Sequence, residues 1–254
     1  MKYILSFLLL VVGCRQTVID ESKVIDLTYT FDEHTVYWPT AKKFELKKVA
    51  FGSNESGEWY ASNDFCASEH GGTHLDAPIH FAKDRRTTAE IPLGQLIGPA
   101  RVVDIRDQCA QDRDYLLSAA DLLADEERYG KIAAASVVLV QTGYSRFYGE
   151  PKRYLGSDRR GVLEDLHFPG IGGDAAQLLV DRRIDLVGID TASVDHGPSR
   201  HFEAHRILCQ ANIPALENVA QMERLPPRGA LVIALPMKIA DGTGAPCRVI
   251  AVLP

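Results

Sequence analysis

The order of apolar and polar residues along the chain predicts strands that alternate with helices from residue 23 onward. Short, continuous apolar runs at 136–141 and 184–189 are typical of strands covered on both faces. The segment 118–129 has the features of a helix, because it begins at a serine, carries acidic residues early and stops at Gly130. We predict further strands at 23–28, 44–51, 100–105, 231–236 and 248–253, and further helices at 174–183 and 199–211.

These elements predict a single domain of the α/β class, with a mixed central sheet flanked by helices. Strands that alternate with helices, with extra strands at both ends of the chain, indicate this class. The length of 254 residues, with 46% hydrophobic and 24% charged residues, is typical of an ordinary globular domain. A net charge of -6 without a long basic cluster argues against nucleic acid, so we predict a small-molecule partner.

The first 22 residues differ from the rest of the chain. Lys2 is followed by an uncharged apolar run at 4–12, and small residues directly precede Cys14, an order typical of a secretory signal. The segment also resembles a bacterial lipobox, which implies cleavage before Cys14 and lipid attachment to its thiol. The run is shorter than the roughly 20 apolar residues that span a bilayer.

We therefore predict three segments: a lipoprotein-type signal peptide over 1–13, a tether over 14–22 and a folded domain over 23–254. The protein is then exported and held at the membrane only through a lipid anchor on Cys14. The alternative is a cytoplasmic protein in which the apolar run is a native first element.

The remaining cysteines contain no C-x-x-C pair; they are Cys66, Cys109, Cys209 and Cys247. We expect most of them to be buried as small apolar side chains. Cys66 stands four residues before His70, which leaves a ligand role for its thiol as a minor alternative.

The run from residue 70 to residue 80 carries the candidate chemistry. Four side chains that can bind a metal stand at even offsets in this run: His70, His74, Asp76 and His80. On an extended strand, even offsets share one face, whereas a helix turns the last two away from the first two. Gly71, Gly72 and Pro78 disfavour a helix. The run therefore predicts a metal site at a strand-to-loop junction, and its donors suit zinc, manganese or iron.

Partners for this site are expected from the predicted helix 199–211 and the segment after it. His201 and His205 are four residues apart and would share a helix face. Glu217 follows His205 by twelve residues, and its two carboxylate oxygens can each bind one ion. Spacing alone does not choose Glu217 over Glu203.

The run His70–His80 resembles the H-x-G-T-H-x-D-x-P-x-H motif of the bacterial kynurenine formamidase and cyclase family, which includes isatin hydrolase. His205 and Glu217 stand where that family has a later His and Glu at the same separation. The resemblance covers nearly all of the chain after the signal segment. It implies a cyclase-family hydrolase domain similar to the swivelling β/β/α fold, and a homo-oligomer, with a dimer as the simplest case.

The resemblance also implies a role for each motif residue. In two-zinc members, the residues matching His70 and His74 bind the first ion, and the residue matching His205 binds the second. The residues matching Asp76 and Glu217 bridge both ions. Isatin hydrolase resembles the same scaffold with a single manganese, so one or two Zn²⁺ ions, or Mn²⁺ as the alternative, are expected.

His80 is expected to be the catalytic proton donor and acceptor, with a ligand role as the alternative. A metal ion lowers the pKa of bound water towards 7, and amide hydrolysis also needs a proton at the departing nitrogen. Trp38 matches a substrate-contacting tryptophan of the family, and its flat ring suits an aryl group. His167 precedes a glycine-rich loop and is expected to line the pocket, with an ordinary surface position as the alternative.

We therefore predict a metal-dependent hydrolase that cleaves a carbon–nitrogen bond of a small aromatic amide, similar to an arylformamide or isatin. A metal-dependent esterase or lactonase is the alternative within enzymes. A tethered metal- or ligand-binding lipoprotein without turnover is the alternative outside them. His80 favours catalysis, since a pure binding site does not need a proton shuttle.

Overall fold

The computed structural model describes residues 19–254. The predicted signal peptide over 1–13 and Cys14 lie outside these residues, and both remain predictions. The strands are β1 (Val24–Asp26), β2 (Glu45–Ser53), β3 (Trp59–Cys66), β4 (His74–Asp76), β5 (Ile97–Asp104), β6 (Leu116–Leu117), β7 (Val137–Gln141), β8 (Gly170–Ile171), β9 (Leu186–Ile189), β10 (Ala215–Glu217), β11 (Arg228–Pro236) and β12 (Gly244–Val252). The helices are α1 (Arg106–Gln111), α2 (Ala119–Tyr129), α3 (Pro151–Tyr154), α4 (Gly173–Asp181) and α5 (Glu203–Gln210).

Eight strands form one mixed sheet in the order β1-β12-β11-β5-β7-β9-β10-β4. Its centre is parallel, because β5 pairs with β7, β7 with β9 and β9 with β10 in that sense, while the remaining pairs are antiparallel. Strand β4 also pairs with β12, so the sheet closes into a barrel. The predicted α/β domain with a mixed sheet is confirmed.

The two faces of the central strands support two hydrophobic clusters. All five residues of β7 are buried, as the continuous apolar run predicts. Val137 and Leu139 point into the barrel, whereas Val138 and Val140 pack outward with side chains of α2, α4 and α5. This alternation follows from the period of two along a strand.

Several predicted boundaries are wrong. Strands β11 and β12 begin at Arg228 and Gly244, three and four residues before their predicted starts. The strand predicted at 100–105 begins at Ile97, because Ile97 pairs with Ile233 of β11 before the central parallel pairing starts. The helix predicted at 199–211 begins at Glu203, after Phe202 in a left-handed conformation (φ 49°). His201 therefore lies before the helix and does not share a helix face with His205.

Strands β2 and β3 form a separate antiparallel hairpin outside the barrel, which we call the arm (residues 45–66). Nearly all of its residues are exposed. Among residues 19–254, no helix is long and apolar enough to cross a bilayer.

Asp190 connects the ends of β7 and β9 beneath the site. It is fully buried, and its carboxylate accepts hydrogen bonds from the backbone amides of Thr142 and Gly143 at 2.8 and 2.9 Å. It also accepts a bond from the Thr142 hydroxyl at 2.6 Å. Burial raises the pKa of this carboxyl group, so these bonds offset a desolvation cost.

We expect Asp190→Ala to lower the free energy of unfolding by about 2 kcal/mol or more, since it leaves several buried donors unpaired. Urea denaturation measures this change. Asp104→Ala is the matched control, because Asp104 ends the neighbouring strand β5 and pairs with Arg106 on the surface. Equal losses in the two variants would contradict the role assigned to Asp190.

Candidate active site and metal centre

Two short paired strands place three donor side chains on one face. His74 and Asp76 are alternate residues of β4, so they point the same way. Glu217 of β10 lies directly opposite His74 in the antiparallel register, which brings it to the same face. All three are buried. Glu217, in the segment after the predicted helix 199–211, is thus on a strand.

The other candidate residues come from the turns on either side of β4 and from α5. His70 precedes β4, and His80 ends the 3-10 turn Pro78–His80 that follows it. His205 lies on α5 and is buried. The predicted convergence of the four motif residues is therefore reached, although only His74 and Asp76 share a strand.

The carboxylate of Asp76 stands between the imidazoles. Its Oδ1 atom lies 2.7 Å from Nδ1 of His70 and 3.1 Å from Nε2 of His74. Its Oδ2 atom lies 3.0 Å from Nε2 of His205. Glu217 spans the same two sides, with Oε2 at 3.4 Å from His74 Nε2 and Oε1 at 3.2 Å from His205 Nε2.

These distances define two donor groups that share Asp76. The first is His70, His74 and Asp76, and the second is Asp76, His205 and Glu217; within each, the ligand atoms lie within 4.8 Å of one another. Nitrogen and carboxylate donors of this kind fit zinc or manganese. His74 Nε2 is buried without a hydrogen-bond partner, which leaves this ring nitrogen for an ion.

Each imidazole is held in place through its other nitrogen. His74 Nδ1 donates to the carbonyl oxygen of Gly72 at 2.9 Å, and His205 Nδ1 donates to Asp195 at 2.6 Å. His70 Nε2 lies 2.9 Å from the hydroxyl of Thr243, which in turn donates to Glu69 at 2.6 Å. Such outer hydrogen bonds fix the orientation of metal-binding imidazoles.

The buried carboxylates attract positive charge into the cluster. Burial would lower the pKa of His74, but Asp76 and Glu217 raise it to about 9. Burial also opposes the charged form of His205, yet its bonds to Asp195, Asp76 and Glu217 hold its pKa well above the usual value. The pKa of Asp76 is well below its usual value despite burial, because of the neighbouring imidazoles. A divalent cation supplies the charge that this cluster favours.

His80 faces the cavity but belongs to neither donor group. Its ring stacks on His70, with centroids 3.9 Å apart and an interplanar angle of 22°. Burial lowers the pKa of His80 to about 4, so the ring is neutral at neutral pH. This position agrees with the expected proton transfer and disfavours the alternative role as a ligand.

A cavity of about 300 Å³ opens onto the donor groups. The large apolar and aromatic residues of its wall are Val36, Tyr37, Trp38, Phe81 and Phe202. Trp38 lies where a substrate-contacting residue is expected, and its ring packs edge-on against Phe168 at 6.4 Å. Within the described part of the chain, no lysine or arginine lines the cavity. The cavity therefore fits a flat, uncharged aromatic group.

The expectation that His167 lines this pocket is wrong in the structure. Leu166 and Phe168 are buried, whereas the side chain between them is exposed. His167 is exposed and bonds to Asp114 at 2.7 Å. Cys66 is exposed on the arm and is in neither donor group, which disfavours the alternative of a ligand role.

Sequence reasoning missed the residues that position the imidazoles and shape the cavity. These are Glu69, Asp195, Thr243, Phe81 and Phe202. Only Phe81 had a signal, because it follows His80 directly in the motif run. Glu69 acts on His70 through Thr243, which is 173 residues from His70, and no spacing rule connects the remaining residues to the imidazoles.

Residues 25–196 match the model of the Cyclase family, described as "Putative cyclase". Since this match spans more than half of the chain, the protein belongs to the Cyclase family, as predicted.

The isatin hydrolase of Roseibium aggregatum is 31% identical over 253 residues, which is 96% of this chain and 92% of the relative. The kynurenine formamidase of Salinibacter ruber is 29% identical over 231 residues, 89% of this chain and 96% of the relative. A solved isatin hydrolase bound to the product analogue thioisatinate superposes with a TM-score of 0.84 at 31% identity, covering 91% of this chain and 92% of that one. Isatin hydrolase A from Ralstonia solanacearum gives 0.83 at 30% identity, with coverage of 91% and 92%. These relatives confirm the predicted fold and the predicted class of enzyme, a hydrolase.

We expect Asp195→Ala to weaken metal binding by about 10- to 100-fold, because His205 loses the bond that orients its ring. Competition of the purified protein with a coloured zinc chelator measures this affinity. Asp114→Ala is the matched control, since it removes the same type of bond from His167 outside the site. A similar affinity in both variants would show that Asp195 does not position the ligand.

Proposed function

We propose that the protein is a metal-dependent hydrolase that opens the carbon–nitrogen bond of a small, uncharged aromatic amide of the isatin type. One observation carries this proposal. The two nitrogen–carboxylate donor groups face the same aromatic cavity, and in the described chain no lysine or arginine lines its wall. The similarity to isatin hydrolases over nearly the whole chain supports it.

The cavity favours a cyclic amide over an arylformamide that carries an amino-acid substituent. That substituent has an ammonium group and a carboxylate group, and arginine or lysine binds a carboxylate most strongly. The cavity offers neither. A compact ring with two carbonyl groups needs only aromatic contacts and hydrogen bonds.

The donor residues fit a metal ion at one or both groups. His70, His74 and Asp76 would hold one ion, and His205 and Glu217 would hold a second one with Asp76. When bound, the ion supplies a water of lowered pKa and polarises the substrate carbonyl. A zinc ion suits all of these donors, and manganese is the alternative.

The remaining residues bind the ring and move a proton. Trp38, Phe81 and Phe202 enclose the aryl group, which fixes the amide against the donor groups. His80 lies beside His70 on the cavity wall, within reach of a group bound there. Its neutral imidazole can accept a proton from the attacking water and then deliver that proton to the departing nitrogen, which is a poor leaving group without one.

We expect His80→Gln to keep its bound metal and to lose about 10²- to 10⁴-fold in kcat for isatin, the usual contribution of a general acid. Absorbance of the opened ring reports turnover, and elemental analysis reports the metal. His201→Gln is the control, because His201 is exposed outside the cavity. Loss of metal from His80→Gln would show that His80 is a ligand.

We expect a chelator to abolish isatin hydrolysis, because the donor groups lose the ion that activates water. Addition of Zn²⁺ or Mn²⁺ should restore it, and the more effective ion identifies the cofactor. Asp76→Asn should not be restored by either ion, since Asp76 contributes to both groups. Full activity of the metal-free protein would overturn the proposed function.

We expect Trp38→Ala to raise KM for isatin at least about tenfold, whereas Trp38→Phe, which keeps a flat ring, should change it less. The same assay applied to N-formylkynurenine and to an aryl lactone tests the class of substrate. A kcat/KM for either compound above that for isatin would contradict the proposal.

A further inference from the structure

We propose that a second hollow, which we call the strand-end hollow, binds a free α-amino acid with an apolar side chain. The hollow has a volume of about 400 Å³, and its wall includes Tyr29, Arg106, Gln141, Ser145, Arg146 and Glu223. No described residue lines both this hollow and the catalytic cavity. Binding in the strand-end hollow is therefore independent of the reaction catalysed.

The strand-end hollow lies where two parallel strands of the barrel end. Gln141 is the last residue of β7, and it is paired with Asp104, the last residue of β5. The carboxyl ends of parallel strands and the mouths of barrels are common positions for ligand sites. The catalytic cavity is lined by Ser193, which follows the neighbouring parallel strand β9. The two hollows thus lie at the same edge of the sheet.

Gln141 places an unpartnered amide at this hollow. Its side chain lies on the same side of β7 as Leu139, and only 5% of the residue is exposed. Its backbone carbonyl accepts a hydrogen bond from the amide of Ile105, whereas its side-chain amide bonds to no described residue. A buried amide is costly without a partner, so a polar ligand in the hollow would stabilise it.

Two opposite charges on the wall also lack partners in the described chain. Arg146, on the turn Tyr144–Phe147, lies 4.6 Å from the ring centre of Phe147 and forms no ion pair with a described residue. Glu223, on the turn Met222–Arg224, pairs with no described cation. A guanidinium group binds a carboxylate, and a carboxylate binds an ammonium group. The wall therefore offers a partner for each charge of a zwitterion.

This pair of charges favours a zwitterion over a simple anion or cation. An anion bound to Arg146 would be repelled by Glu223, and a cation bound to Glu223 would be repelled by Arg146. An α-amino acid carries both charges on neighbouring atoms. The amide of Gln141 can serve either group, because its oxygen accepts from an ammonium and its nitrogen donates to a carboxylate.

Tyr29 gives the hollow an apolar wall. One face of its ring stacks on Tyr148, with centroids 3.5 Å apart and an interplanar angle of 3°. Its hydroxyl donates to the carbonyl oxygen of Ser145 at 3.0 Å, which fixes the ring. The edge and the other face of the ring remain for a ligand, and an apolar or aromatic side chain packs well against them.

Titration calorimetry of the purified full chain tests the proposal with three probes. L-Phenylalanine carries both charged groups, 3-phenylpropionate lacks the ammonium group, and 2-phenylethylamine lacks the carboxylate. L-Phenylalanine should bind saturably. The other two should each bind at least about tenfold more weakly, because each leaves one charge of the wall without its partner.

Two variants should change the selectivity in opposite directions. Arg146→Gln should lose the preference for L-phenylalanine over 2-phenylethylamine, and Glu223→Gln should lose the preference over 3-phenylpropionate. Each should also bind L-phenylalanine at least about tenfold more weakly. A merely structural role would lower the affinity for all three probes together. Gln141→Met, which keeps the length of the side chain, should also weaken binding.

Two control variants should bind L-phenylalanine like wild type. Arg128→Gln is matched to Arg146→Gln, because Arg128 is exposed and lines the neighbouring hollow at the end of β5. Trp38→Ala changes the catalytic cavity alone. A bound ligand should also raise the melting temperature of wild type, since it connects two turns, and should raise that of Arg146→Gln less.

The proposal is overturned if L-phenylalanine does not bind saturably or if the three probes bind equally. Wild-type affinity in Arg146→Gln, Glu223→Gln or Gln141→Met would also overturn it. Weaker binding to Trp38→Ala would place the ligand in the catalytic cavity instead, and weaker binding to Arg128→Gln would place it in the neighbouring hollow. Because calorimetry needs no turnover, these results are separate from the outcome of the isatin assays.

Discussion

The rest of the structure depends on the contacts between the buried carboxylate of Asp76 and the imidazoles around it. The carboxylate faces imidazoles on two sides, at 2.7 Å from His70 and at 3.0 Å from His205. A buried carboxylate is costly unless it is paired and hydrogen-bonded. The fold must therefore bring donors from separate parts of the chain to this group. A divalent ion between the donors would offset the remaining negative charge.

Closure of the barrel brings these donors together around Asp76. The three-residue strand β4 pairs with β10 on one side and with β12 on the other, so its backbone is satisfied while its side chains are buried. The same two pairings position the site. The pairing with β10 brings Glu217 opposite His74, and Thr243, just before β12, holds His70. The strand that completes the sheet therefore also carries the chemistry.

The sequence revealed the local part of the site and missed the part that depends on tertiary contacts. The even offsets of His70 and Asp76 and the apolar run of β7 are properties of short segments, so periodicity identified them. The start of α5 was missed because its first amides donate to Asp195, a residue outside the helix. A β-bulge at Val49 in the arm was equally invisible, since it appears only when β2 is paired with β3.

The distribution of charge explains why ring shape is expected to select the substrate. Asp76 and Glu217 are directed at the donor nitrogens, and within the described chain the cavity wall contributes neither lysine nor arginine. The positive charge near a bound substrate must then come from the metal. A metal ion acts on the polar bond that is cleaved and leaves the rest of the molecule to Trp38 and its aromatic neighbours. Recognition by such a wall depends on a flat, uncharged ring, because a charged substituent would be desolvated there without a partner.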